Sequence, residues 1–246
     1  MYAILFLKNR QRKTANRQRF LSLIGRCICR NAQPPYLSTE EIQHRVHIEN
    51  LALLQGFVEK KQSILSFGAH TGNWEWVPGG LATRGVPIDV VYKTLTNEKS
   101  DQFMIGVRSS FGVYPIAMQQ LMREIVKRKD QTRVIGLVAD QSPHQPDHAH
   151  WFEFLNHDTA FFPGTEKIAR ATQMPVVFGE IYRRKRGYYT AHFHLVATPP
   201  YDNLPNGEIT RLYKAQLEAA IHRHPSEWLW SHNRWKHTPT KASQNY

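Results

Sequence analysis

The stretch Ser63-Ile-Leu-Ser-Phe-Gly-Ala-His-Thr-Gly-Asn-Trp-Glu75 sets the reading of the whole chain. It begins as a short apolar run ended by Gly68, the pattern of a strand buried on both faces. Residues 72–76 then read as a turn entering a helix, with Gly72 allowing close backbone approach. His70 therefore falls just past the carboxyl end of a strand, where ligands collect in open α/β sheets. Glu75 follows five positions later, across the turn. That spacing lets a carboxylate bond one imidazole nitrogen while the other faces a substrate hydroxyl, as in a general base with its orienting partner. Taken alone, a His and an acid so spaced are more often a surface or internally satisfied histidine, so the rest of the chain must decide.

The same grammar repeats outward. Ser38 and Glu41 have capping-box spacing and predict a helix from there to about residue 50. Residues 87–92 read as a strand, 115–129 as a helix carrying Ile116, Met118, Leu121, Met122, Ile125 and Val126 at helical spacing, and 133–139 as another strand. Residues 165–172 look helical, 175–182 extended, and Arg183-Arg-Lys-Arg-Gly187 is a hairpin connection into 188–196. A last helix is expected over about 207–222, before Pro225. Strands alternating with helices argue for one α/β domain with a mixed central sheet flanked by helices. The reading divides the chain into a basic N-terminal segment, 1–37, and a domain over 38–246.

Composition narrows the class. The chain has 246 residues, 41% hydrophobic with six Trp, ten Tyr and twelve Phe, enough for a substantial core and incompatible with disorder throughout. Its only cysteines, Cys27 and Cys29, are too close for a mutual disulfide and too few for a structural zinc site. A reducing compartment fits best. The net charge of +12 favours a polyanionic partner, whether nucleic acid, anionic lipid headgroups or an acidic protein. The apolar run 1–7 is too short to cross a bilayer, and basic residues follow it where a signal peptide would have them first. Phe20, Leu23, Ile24, Cys27 and Ile28 recur at helical spacing among Arg17, Arg19, Arg26 and Arg30. Such a helix either lies on an anionic membrane surface or packs its apolar side on the domain.

The full string Gly68-Ala-His-Thr-Gly-Asn-Trp-Glu75 resembles the signature of the late acyltransferases of lipid A biosynthesis. They sit within a wider superfamily of glycerolipid acyltransferases marked by His, four residues and an acid. The wider group usually has Asp where this chain has Glu75; Glu is characteristic of the lipid A branch. Further blocks are similar in order. Tyr92-Lys-Thr-Leu-Thr-Asn97 looks like the substrate-facing segment, Arg108 with Gly112 like the Arg/Gly element, and Gly136-Leu-Val-Ala-Asp-Gln141 like the strand ending in Asp-Gln. Phe161-Phe-Pro-Gly-Thr165 resembles the glycine-containing helix start, and Trp228-Leu-Trp-Ser-His-Asn-Arg-Trp-Lys236 the closing Trp/His/Arg segment. One departure is that family members normally carry a membrane-spanning helix ahead of the catalytic His. This chain does not show it, so attachment by surface contacts, or by a segment missing from this chain, is expected.

The resemblance implies that His70 and Glu75 are catalytic, with acyl carrier protein as donor and a lipid A precursor as acceptor. The place of work would be the cytoplasmic face of the inner membrane. A coenzyme A thioester as donor, and another lipid or glycan as acceptor, stay open. Arg108 would bind a lipid or pantetheine phosphate, against the plain alternative of a surface salt bridge. Asp140, with Gln141 beside it, would orient a substrate group or merely cap a turn. Gly164 and Thr165 would offer helix amides to an anion or oxyanion, and Arg170, further along that helix, is a weaker substrate-binding candidate. His144, His148, His150 and His157 beside Asp147 and Asp158 invite a metal, but residues 142–157 have loop composition, so neither metal nor cofactor is expected. The rival from another class is a basic nucleic-acid-binding module, for which no binding motif is present.

Overall fold

The computed structural model describes residues 34–239, so the arginine-flanked helix read over 17–30 lies outside the described residues. Ser38 caps helix α1 (Thr39–Arg45), its Oγ accepting from the Glu41 amide at 3.1 Å, while the Glu41 carboxylate turns to Arg45 instead of back to the cap. The helix does not continue to residue 50 as read. Val46 and Ile48 point inward, with His47 exposed between them, in a short strand, β1 (Val46–Ile48), and a second helix, α2 (Leu51–Glu59), follows. The partner that draws these residues out of the helix lies far along the chain, since β1 pairs with residues 189–191 and the Asn50 side chain bonds both backbone groups of Phe193.

The remaining elements are β2 (Ile64–Gly68), α3 (Val77–Ala82), β3 (Ile88–Tyr92), α4 (Glu98–Arg108), β4 (Tyr114–Ala117), α5 (Leu121–Lys127), β5 (Val134–Val138), β6 (His150–Phe154), β7 (His157–Phe161), α6 (Gly164–Thr172), β8 (Val176–Lys185), β9 (Tyr188–Ala197) and α7 (Glu208–Arg223). Seven strands form one mixed sheet in the order β1-β9-β8-β2-β5-β3-β4. Strands β8, β2, β5, β3 and β4 run parallel, and the β8–β9 hairpin reverses direction so that β9 and β1 run the other way. Two segments differ from the reading. The start of the helix expected over 115–129 is edge strand β4, paired with β3, and only α5 is regular α-helix there. The end of the expected loop 142–157 is β6, paired with β7 in a separate hairpin.

The central strands alternate between two apolar layers, as a sheet covered on both faces must. Leu65 and Phe67 of β2, Ile135 and Leu137 of β5, and Val176 and Phe178 of β8 face the layer formed by α5, α6 and α7. Ile64, Val134 and Val177 face α1, α2 and α3. Among the described residues no helix is long and apolar enough to cross a membrane.

At the edge where the parallel strands begin, buried Arg133 donates to buried Asp89 at 2.6 Å and to the carbonyls of Arg128 and Gln131. This fastens β3 to β5 below the site. Removing one member of such a pair strands the other's charge in a low-dielectric interior. Arg133→Met is therefore expected to lower the unfolding free energy by about 3 kcal/mol, read from urea denaturation midpoints.

Candidate active site

The opposite edge, where the five parallel strands end, carries the site. Past β2, Gly72 adopts φ +55 and brings the loop against β8: a Cβ there would lie 3.0 Å from Ile181 Cγ2 and 3.3 Å from its carbonyl oxygen. The C-terminal segment seals the loop from the other side. Gly72 N–H donates to the Glu227 carbonyl at 3.0 Å, Leu229 N–H to the His70 carbonyl at 2.9 Å, and Thr71 bridges Trp228.

Asp140 reaches His70 from two residues past β5. Its Oδ1 lies 2.7 Å from His70 Nδ1, and its Oδ2 accepts both the His70 amide at 3.1 Å and the Trp228 indole N–H at 2.8 Å. The carboxylate is almost wholly buried, at 2% exposure. Burial by itself would raise its pKa, but the charge and hydrogen bonds of His70, with that of Trp228, hold it below the ordinary carboxylate value. Burial likewise pushes His70 down, and the Asp140 carboxylate, helped by the field of Glu75, outweighs it and leaves the imidazole raised. With Nδ1–H given to Asp140, Nε2 is the nitrogen left to accept a proton. Gln141 Nε2 lies 3.5 Å from it, and Trp74 packs edge-on at 4.9 Å between ring centroids. The group is an imidazole oriented through one nitrogen by a buried carboxylate, the arrangement of a general base.

This corrects the expected pairing. The partner of His70 is Asp140, not Glu75. Glu75 instead receives a two-point ion pair from Arg108, Nη2 to Oε1 at 2.8 Å and Nε to Oε2 at 3.2 Å. Arg108 also stacks over Tyr92 at 5.3 Å, and Nη1 takes no part in the pair. Arg170 differs from its expected substrate-binding place too. Its guanidinium donates to Glu166 and to the carbonyls of Tyr201, Leu204 and Pro205. Buried Glu166 in turn accepts from the Gly207 and Thr210 amides that open α7, so Arg170 is committed to a helix-end clamp. Gly164 and Thr165 open α6, which precedes a parallel strand and so begins at the site edge. The Phe162 ring covers Gly164, and Thr165 is buried.

Reading the sequence left three contributors unassigned. Trp228 is the second clamp on Asp140, His232 Nε2 accepts the Ser142 amide at 3.0 Å just past Gln141, and Arg234 is buried beneath them. Burial depresses the His232 pKa, which keeps that acceptor unprotonated. Only the clustering of Trp, His and Arg in 228–236 hinted at them. Among the histidines weighed for a metal, His144 contacts Lys93 and the His157 ring packs at a tilt against Trp235.

A histidine held by a buried carboxylate at the carboxyl edge of a mixed α/β sheet defines the site. Over residues 8–237 the chain matches the family described as bacterial lipid A biosynthesis acyltransferase, and it belongs to that family. It is an acyltransferase that acts on lipids. Among solved structures it is similar to the 1-acyl-sn-glycerophosphate (LPA) acyltransferase PlsC from Thermotoga maritima, at 11% identity and a TM-score of 0.45, with 92% of this chain and 88% of that one covered. No curated protein matches the sequence.

The two acids are separable by kinetics. Asp140→Asn is expected to lower kcat about 100-fold or more with little change in KM. Glu75→Gln, which loosens Arg108, should act mainly on KM. Steady-state assays of both variants check this, and the opposite ranking would restore Glu75 as the partner of His70.

Proposed function

We propose that the protein transfers a fatty acyl group from a thioester to a hydroxyl of a lipid A precursor, with His70 as general base and Asp140 as its orienting carboxylate. The observation that carries this reading is an imidazole with one nitrogen fixed by a buried acid, which leaves Nε2 as the proton acceptor. The acceptor hydroxyl gives its proton to Nε2 while its oxygen attacks the thioester carbonyl. The tetrahedral oxyanion collapses, the carbon–sulfur bond breaks, and the imidazolium returns the proton to the departing thiolate. Neither cysteine lies in a matching block, so no acyl-enzyme is invoked. Arg108, braced by Glu75, supplies a fixed cation for a phosphate of the acceptor or of the donor's pantetheine arm. Acyl carrier protein is the preferred donor and coenzyme A the alternative; an acidic carrier and a phosphorylated glycolipid both suit a chain of net charge +12.

The reading places this reaction at the cytoplasmic face of the inner membrane. Support comes from exposed apolar residues around the site edge: Leu95 past β3, Met118 at the end of β4, Val138 closing β5 and Phe162 ahead of α6. Together they would bring the edge that carries His70 against a lipid surface.

His70→Ala is expected to reduce kcat by about 100- to 10,000-fold; transfer at the wild-type rate would defeat the reading. In the wild type, kcat/KM should rise with pH through an acid limb lying above 6.5, because Nε2 must be unprotonated and Asp140 stabilises the protonated form. A limb at or below 6.5 would contradict that coupling. In cosedimentation with vesicles containing anionic phospholipid, the wild type should bind, and Met118→Ser with Phe162→Ser should weaken partitioning about tenfold.

A further inference from the structure

The β8–β9 hairpin outruns the sheet. Strand β8 pairs with β2 only as far as Phe178, opposite Phe67, yet it continues to Lys185. Its tip therefore stands about 20 Å along the strand beyond that last pair, past the edge that carries His70. Arg184, Lys185 and Arg186 are exposed there, and among the described residues none of them pairs with a carboxylate. Helix α1 lies alongside, because it leads into β1, which pairs with β9 close to the turn. An open groove of about 560 Å³ runs between them, lined by Gln43, His44, His47, Arg184, Lys185 and Tyr188, with no acid and no aliphatic side chain. The tip is braced in place. Gly187 turns it at φ +84 against α1, where a Cβ would lie 3.2 Å from Arg45 Nη1. Lys185 Nζ sits 4.3 Å over the Tyr188 ring, and His44 packs edge-on to the same ring at 5.3 Å. Arg45 lies 5.8 Å from both Tyr188 and Trp76, the residue after Glu75. At the hairpin's base Arg183 pairs with Glu227 at 3.2 Å, and the Glu227 carbonyl accepts from Gly72. The groove is thus held at a fixed offset from the loop that carries His70.

We propose that this groove, formed by the β8–β9 tip and α1, is the docking site for an acidic carrier protein that delivers the acyl thioester. The inference rests on the reading of the protein as an acyltransferase that takes its acyl group from a carrier. Exposed cations without partners on a rigid support complement an acidic protein surface, and a concave groove admits a convex one such as a helix bearing carboxylates. A lipid surface is the poorer fit, because membrane contacts combine cations with apolar side chains that insert, and the groove lining offers none. An acyl group on a carrier hangs from a long flexible arm, so the carrier's body must rest away from His70, as the projecting tip does. The sheet order separates the two substrates. Strand β2, which leads into His70, lies between the basic flank of β8, β9 and β1 and the flank of β5, β3 and β4, whose ends expose Val138, Leu95 and Met118. Donor and lipid acceptor then approach His70 from opposite sides.

The test is charge reversal at the exposed tip, Arg184→Glu with Lys185→Glu, in the full chain. With dodecanoyl-loaded acyl carrier protein as donor, the double variant is expected to raise the KM for the carrier about tenfold, with kcat at saturation and the KM for the lipid acceptor within about twofold of wild type. Lys60→Glu with Lys129→Glu makes the same change of charge at the opposite edge of the sheet and should leave all three within about twofold. Fluorescence anisotropy with labelled holo acyl carrier protein, which needs no turnover, should show the same tenfold loss of affinity in the tip variant and none in the control or in His70→Ala. Carrier binding lost only in the tip variant, with no acyl transfer by the wild type, would keep the docking site and discard the transferase reading. Wild-type transfer from the carrier with KM unmoved in the tip variant would keep that reading and overturn the docking site. Equal losses in tip and control variants would reduce the effect to net charge and overturn it too. So would a tip variant that loses cosedimentation with anionic vesicles while its KM for the carrier holds, since the hairpin would then face lipid.

Discussion

A single buried carboxylate ties together three parts of the chain that are distant in sequence. Asp140, at the end of β5, accepts from the backbone and ring of His70 past β2 and from the indole of Trp228 near the C-terminus. Each hydrogen bond offsets part of the cost of burying the charge, so the carboxylate is stable there only while all three segments are in place. That is why the site and the fold are one problem. The loop carrying His70 is further pinned by Gly72 against β8 and by backbone bonds to 227–229, leaving the imidazole little freedom except at its outer nitrogen.

The same use of buried charge recurs at other edges of the molecule with other consequences. Arg133 and Asp89 lock β3 to β5 where the parallel strands begin, and Glu166 with Arg170 closes the start of α7. In both, all three guanidinium nitrogens donate to groups of the protein itself. The pairs at the carboxyl edge differ: His70 keeps Nε2 outside its bond to Asp140, and Arg108 keeps one nitrogen outside its pair with Glu75. Unspent hydrogen-bonding capacity, not charge as such, separates groups able to meet a substrate from groups that hold the fold.

Much of the architecture was legible because the central strands are buried on both faces and read as short apolar runs. Strands β2, β3, β5 and β8 fall where those runs lie. The failures have local causes. Residues 46–48 continue a helical pattern, and only pairing with β9 makes them a strand. Tyr114 to Ala117 carries a proline tolerated on an edge strand but also expected at a helix start. Helix α4 buries only Val107 and so has no apolar stripe to announce it. Strand β6 follows a stretch with two prolines and two histidines, a composition that reads as loop.

The sequence by itself determined the α/β class, the place of His70 just past a strand end and the family motif around it, because these depend on patterns within a few residues. It could not assign the partner of His70. Glu75 is five residues away and Asp140 seventy, so spacing along the chain favoured the wrong acid. Parallel pairing of β2 with β5 sets their ends side by side and brings the distant carboxylate within 2.7 Å, while the turn after Gly72 sends Glu75 to Arg108. Strand order is a property of the whole sheet, and only the tertiary structure could decide which acid faces the imidazole.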